Sequence, residues 1–402
     1  MMEWKRASGG VKASLLRWAM LGVLCLLALP AAHAQLPDSL SSRARISVLT
    51  VNPGEAVYSL WGHSALRVMD PDAGFDAVFN WGTFDPARPW FIPRFAYGDM
   101  QYELSVEAMS RFFQSARAQE RGVVEQDLRL DANRKQAIWE LLLDNMQPEN
   151  RAYAYDFVRD NCSTRILDLL TAVDAVQLAP SDSVRTYRGM VDAYVHQEAW
   201  LDLGIDLAFG RPMDRDVTPT DVAFLPLALE NLLDEASTTE GASLVAGKRT
   251  LLDLPWQAAE PSFTRVELLF WAIGVLILVY TLRFRGGPTS LDRVLLAVLG
   301  SMGIFLLLMW VATLHWVTAW NVDLLWALPS HLVVAIVWKR WNRLESYLRI
   351  SGLVMLAALI LQLAGFQPMH PAMIVPVLAI GLRFVMLGRR EPAAQTPTPS
   401  AA

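Results

Sequence analysis

Hydrophobic and polar positions follow three different patterns along the chain. Over residues 1–34, a basic start (Lys5, Arg6, Lys12, Arg17) gives way to the apolar run AMLGVLCLLALPA and then to Ala32-His33-Ala34. That order predicts a secretory leader cut after Ala34, with an uncleaved anchor as the other outcome it allows. Leu24, directly before Cys25, is not the small residue a lipoprotein signal carries.

Residues 35–262 mix two periods. ARISVLTV alternates and is β-branched, and HSALRVMD and FDAVFNWGTF flank PDAG as the arms of a hairpin. DANRKQAIWELLLDNM repeats at helical spacing with Asp131 as its N-cap, and AYAYDF alternates briefly before DNCSTRILDLL. EASTTEGASLVAGKRT reads as a mobile loop near the membrane. The expected class is α+β, an antiparallel sheet with helices packed to one side.

Residues 263–388 are different again. Five apolar stretches, roughly 263–283, 292–315, 321–338, 348–366 and 371–387, each approach the ~20 residues that cross a bilayer. Pro329 and His331 interrupt the third and Arg383 the fifth. LRFRGGPTSLDR, KRWNRLESYLR and GRREP are basic, whereas HWVTAWNVD and FQPMHP contain no Lys or Arg. The basic segments are therefore expected in the cytoplasm and residues 35–262 on the opposite side, as a leader requires. Residues 389–402 read as a disordered cytoplasmic tail.

Composition sharpens this picture in two places. Apolar residues make up 53% of the chain, above the ~45–50% of soluble domains, and the excess lies in the spans. The net charge of −5 argues against a nucleic-acid partner. No metal-ligand spacing and no Gly-rich phosphate loop stands out, so neither metal nor cofactor is expected.

There are two cysteines, and cleavage after Ala34 would leave Cys162 as the sole thiol. Asp160 or Asn161 is the natural N-cap of the helix that follows, which sets Cys162 in its first turn. Unpaired N–H groups and the helix dipole there favour the thiolate. A small buried hydrophobe is the ordinary fate of a free cysteine, but polar neighbours on both sides argue for a nucleophile. A thiol nucleophile needs an imidazole. His63, after Gly62 at the mouth of a strand, is the better candidate; His196 sits on an amphipathic helical stretch and reads as structural. Asn80, Thr83 and Asp85 can each orient His63, depending on strand register. Asn80 is the first choice, since an amide accepts the imidazole N–H without a charge change. Arg165 and Asp168 read as braces of the helix.

The sequences NPGEAVYSLWGHSALRV, FNWGTFD, YAYDFVRDNCSTRILD and WLDLGIDLAFGRPMDR, within residues 45–235, resemble the periplasmic domain of the Lnb family of bacterial lipoprotein N-acyltransferases. The order of histidine before cysteine is that of circularly permuted papain-like (NlpC-like) folds and is shared with lecithin:retinol acyltransferase. The resemblance implies a permuted papain-like domain over 35–262, a five-helix membrane domain over 263–388, and residence in the inner membrane. It implies Cys162 as nucleophile, His63 as base and then acid, and the Cys162 N–H as an oxyanion donor. Membrane phospholipid would be the acyl donor and a diacylglyceryl lipoprotein the acceptor. Trp61, His315 and Asn321 are candidate substrate contacts, with Trp316 and Trp320 as interfacial anchors. A membrane-anchored thiol peptidase or amidase acting on cell-wall peptide, and a non-catalytic envelope scaffold, are the alternatives.

Overall fold

A computed structural model describes residues 36–179, 185–258, 263–284 and 286–387. The expected leader with Cys25, and the expected tail over 389–402, lie outside the described residues. Seven antiparallel strands form one sheet in the order β6-β4-β3-β2-β1-β5-β7. They are β1 Arg45–Val51, β2 His63–Asp70, β3 Phe75–Thr83, β4 Gln101–Ala108, β5 Val123–Leu128, β6 Ala152–Ala154 and β7 Val245–Leu252. The hairpin expected around PDAG is β2–β3, with Asp70 opposite Phe75.

Alternation assigns the two faces of the sheet. Ile46, Val48, Leu66, Val68 and Phe79 face one core, together with helices α3 (Ala132–Asn145), α4 (Cys162–Ala172) and α7 (Pro226–Glu235). Asp131 caps α3 by accepting from the Arg134 N–H at 2.8 Å. Within that core Trp139 is fully buried and meets Phe75 and Phe79 edge-on, so truncation to alanine would cost about 3–5 kcal/mol. The opposite face is covered too: Leu49, Val51, Ala65 and Val78 bury Phe112 and Ala116 of α2 (Met109–Ala118). Helices therefore flank both faces, not one as the pattern suggests, because Leu49, Val51 and Ala65 make one end of the otherwise polar second face apolar.

A second correction concerns residues 235–250. VAGKRT, expected in a mobile loop, lies in edge strand β7, paired with β5 from Val123 to Leu128. The ladder to β5 holds it, with Val245, Leu251 and Leu252 packed at its ends and a polar middle that shows no apolar alternation. Lys248 bridges Glu230 and Asp234 at 2.7 and 2.6 Å, and Arg249 bridges Glu125 at 2.8 Å.

The remaining helices of this region are α1 (Phe91–Tyr97), α5 (Tyr187–Val195) and α6 (Ala199–Ala208). The C-terminal part is helical, with α8 (Arg265–Arg283), α9 (Ser290–Val311), α10 (Ser330–Val337), α11 (Leu344–Leu363) and α12 (Pro371–Leu387). Three of these, α8, α9 and α11, are long and apolar enough to cross a membrane, and the stretches Val322–Val337 and Pro371–Leu387 are shorter apolar helices. Pro329 stands at the start of α10, which shortens the third segment to a loop and a brief helix. Arg383, the charge within the fifth stretch, is buried and forks onto Asp292 at 2.8 and 2.9 Å. Pairing of this kind is what a buried intramembrane charge requires.

Loop 312–329 joins the two parts. The Gly210 N–H donates to the Val317 carbonyl at 2.9 Å, the Leu314 N–H to the Tyr97 carbonyl at 2.8 Å, and the Trp316 indole to Asp156 at 2.7 Å.

Candidate active site

Helix α4 begins where the sequence places it, capped by Asn161. Its side chain accepts from the Ser163 and Thr164 N–H groups at 2.8 and 3.1 Å, and Thr164 Oγ1 accepts in return from the Asn161 N–H. The Asn161 amide also donates to the carbonyls of Phe157 and Phe224 at 2.6 and 2.8 Å, so this buried cap is held on every side. Cys162 follows as the first helical residue, half-buried, and its own N–H has no acceptor among the described residues.

β2 supplies the imidazole. Gly62 turns the chain into the strand at φ +85°, and a side chain there would come within 2.8 Å of the Val51 carbonyl, so only glycine fits. Register then decides which candidate meets His63. Leu66 lies opposite Phe79, so positions 63 and 65 share a face with position 80. His63 Nε2 lies 3.1 Å from Asn80 Oδ1, which accepts its proton. The ring's other nitrogen, Nδ1, is left for the thiol, and the charges of the ring and of Cys162 stabilise each other. Thr83 and Asp85 are used elsewhere: Thr83 bonds the Ser105 hydroxyl at 2.6 Å, and Asp85 accepts from the Ala87 N–H.

The electrostatics shift both groups toward an ion pair. Burial pushes the Cys162 thiol up, but the charge and hydrogen bond of His63, the Ser64 N–H and the Ser163 hydroxyl more than offset it, leaving its pKa below the ordinary value. Burial pulls His63 down and Arg121 adds to that, yet the Cys162 charge and the hydrogen bonds to Cys162 and Asn80 win, and its pKa is raised. Both shifts stabilise thiolate with imidazolium. A thiol in that state is a nucleophile near neutral pH.

Several contributing residues carry no local signal. Glu107 accepts from Asn80 Nδ2 at 3.2 Å and so aims the amide oxygen at His63. Ser64 and Ser163, both buried, join β2 to α4 through a 3.0 Å hydroxyl contact. A cavity of about 210 Å³ opens beside the pair, lined by His63, Asn80, Thr83, Glu107 and Arg121. Cys162 is absent from its lining, so the sulfur meets His63 from the side of α4.

The outlying candidates sit apart from this group. Trp61 packs edge-on against Phe157 at 4.8 Å, in the turn before Cys162, and its buried indole N–H has no acceptor among the described residues. His315 Nε2 donates to the Phe95 carbonyl at 3.0 Å. Asn321 is buried and committed: its amide donates to Leu207 O at 2.8 Å, and its oxygen accepts from the Asp323 N–H and from Gln367. The apolar surroundings that suggest a lipid site for these two belong to the joint between the parts. His196, read as structural, pairs with Asp202 at 3.2 Å, and Arg165 braces α4 through Asp160 at 2.5 Å rather than through Asp168.

Among the described residues, metal-type donors meet in one place. Asp202, Asp206 and His370 bring ligand atoms within 4.8 Å of one another. His370 Nδ1 accepts from the Ala372 N–H at 3.1 Å, so its proton sits on Nε2, 3.6 Å from Asp202. A protonated Nε2 offers no lone pair, and the cluster reads as a buried ion network.

The fold and site define a membrane protein whose α+β domain carries a paired cysteine and histidine and is joined to the loop ending α9. Family comparison agrees: residues 37–190 match the Lnb N-terminal periplasmic domain and residues 258–390 the Lnb transmembrane domain. The chain belongs to the Lnb family, which points to a membrane-associated lipoprotein-modifying enzyme with a periplasmic N-terminal domain. Neither a curated protein nor a solved structure matches it.

Proposed function

We propose that the chain is a phospholipid-dependent lipoprotein N-acyltransferase of the inner membrane. In this reading residues 35–262 are a permuted papain-like catalytic domain, the segment 263–388 crosses the membrane five times, and residues 1–34 and 389–402 are leader and tail. The observation that carries the reading is Cys162 at the start of a capped helix, its charge coupled to a His63 ring that is hydrogen-bonded to Asn80.

The Cys162 thiolate attacks the ester carbonyl of a phospholipid, and the Cys162 N–H donates to the oxyanion that forms. Collapse breaks the ester C–O bond. The leaving lysophospholipid oxygen takes the proton of the His63 imidazolium, and the acyl group remains as a thioester. The α-amine of a diacylglyceryl-cysteine then attacks the thioester while neutral His63 accepts its proton, and the thiolate leaves. Asn80 keeps the ring oriented through both halves of the cycle, and Glu107 keeps Asn80 oriented.

Incubation with phospholipid labelled in its acyl chain should place a hydroxylamine-sensitive label on Cys162. Mass spectrometry of lipoprotein N-termini should find the N-acyl group only in cells that contain the protein. Cleavage of cell-wall peptide, with no label taken from phospholipid, would favour the peptidase alternative and end this reading.

A further inference from the structure

The short helix α1 has no buried residue, although its sequence, FIPRFAY, is mostly apolar. Trp90 and Ile92 are 78% and 76% exposed, and Tyr58 on the neighbouring loop is 69% exposed. Water would oppose such a surface on a periplasmic domain. The position of the helix supplies another solvent. The Tyr97 carbonyl accepts from the Leu314 N–H at 2.8 Å and the Phe95 carbonyl from His315 at 3.0 Å, and both donors lie just past Val311, where α9 ends. Gly98 (φ +91°) seats the end of the helix against them, since a Cβ there would lie 3.1 Å from Leu314. α1 is thus fastened at the level where a candidate span leaves the bilayer.

From this helix a line of aromatic rings runs inward. Phe95 stacks on Phe91 at 6.3 Å, Phe91 on Phe84 at 5.5 Å, Phe84 on Tyr102 at 5.0 Å and Tyr102 on Tyr155 at 4.3 Å. Tyr155 and Cys162 pack against the same core. We infer that α1 lies in the periplasmic leaflet and that these rings guide an acyl chain of a bilayer phospholipid from that leaflet to Cys162. The route rests on the acyltransferase reading, whereas the membrane contact of α1 does not.

Two measurements on the full-length protein in phosphatidylethanolamine–phosphatidylglycerol vesicles test this. In a Cys25→Ser/Cys162→Ser background, a nitroxide on Ile92→Cys should be relaxed by oxygen and shielded from a water-soluble nickel chelate. A nitroxide on Glu140→Cys, exposed on α3, should behave in the opposite way. A water-like response at position 92 overturns the membrane contact, and the route with it. In the otherwise native chain, Phe84→Ala/Phe91→Ala should lower acyl loading of Cys162 from vesicles at least tenfold relative to loading from a short soluble thioester. An unchanged ratio between the two donors overturns the route. If the unaltered protein takes label from neither donor while position 92 still reports lipid, the acyltransferase reading fails and the membrane contact stands.

Discussion

Two histidine clusters in this molecule use similar groups to different ends. At the first, His63 meets a half-buried thiol, and the Cys162 N–H beside it is unspent. At the second, Asp202 lies between His196 and His370 at 3.2 and 3.6 Å, and neighbouring Asp206 is tied to buried Arg188 at 2.9 Å. The second cluster joins α6 to the start of α12, and most of its donors are satisfied. A perturbed titration alone therefore does not distinguish chemistry from scaffolding. A thiol beside an imidazole, with a backbone N–H that has no acceptor among the described residues, does.

The largest break in this comparison should come from the thiol. Cys162→Ser should lower acyl transfer by at least ~10³-fold with the fold intact, since hydroxyl and thiol differ far more in acidity than in volume. His63→Ala should match it, and the double variant should be little worse. Transfer to a lipoprotein peptide measures all three, and a serine variant with full activity would end the assignment.

A pH profile sharpens the same point. With its pKa lowered, Cys162 should react with iodoacetamide at pH values below the ordinary thiol range, losing reactivity only as pH falls through that lowered pKa. In His63→Ala the upward push of burial is left without its main counterweight, and alkylation at pH 7 should slow by about tenfold or more. Asn80→Ala should cost less, on the order of 10–10²-fold in transfer, because the ring loses its orientation but not its proton.

The second cluster should answer in stability instead. Burial pushes Asp202 up, but hydrogen bonds and charge from His370 and His196 hold its pKa below the usual carboxylate value. Its contribution is then present above the unfolded pKa, ~3.9, and is lost as pH falls through the lower folded value. Asp202→Asn should reduce the melting temperature at pH 7, and the deficit should shrink below about pH 4. His196→Ala should leave transfer within about twofold. If His196 were essential and His63 dispensable, the two roles would be exchanged. The smallest effect belongs to Asp192, where burial and the Asp206 charge push the carboxyl up. Because that folded value is raised, the native state is progressively penalised as pH climbs above the unfolded value. Asp192→Asn should therefore stabilise slightly, and more at pH 8 than at pH 5, as thermal unfolding would show.

Much of the Cys162–His63–Asn80 arrangement is legible because its signals are local. The Asn161 cap, the glycine before His63 and the hairpin strands all lie within short windows of sequence. Asn80 could be narrowed only to one of three, since the choice depends on β2–β3 register. Glu107, Ser64 and Ser163 were not legible, because each acts across strands or between a strand and a helix. β7 is not legible because its middle shows no apolar alternation and its ladder partner, β5, lies far away in the sequence. The Asp202–His370 contact joins residues of separate parts, and no spacing rule reaches across that gap. His315 and Asn321 were placed on the correct side of the bundle, but their roles depend on a docked surface that periodicity does not describe.

The Trp316 indole reaches from the loop after α9 to Asp156, and Asp156 bridges to Asp160 at the foot of the reactive helix. Arg159, in the same turn, lies over the Trp316 ring at 3.6 Å. The sulfur therefore rides on the membrane segment like a stylus on a fixed arm, its height set by covalent chain and a few short bonds. On the acyltransferase reading, the carbonyls of lipid esters occupy a narrow band of depth, so such an arm would act as a gauge, and a change in bilayer thickness would alter the offset between band and sulfur. Replacing Trp316 with phenylalanine would keep a ring under Arg159 and remove the bond to Asp156, loosening the arm while leaving the stylus intact.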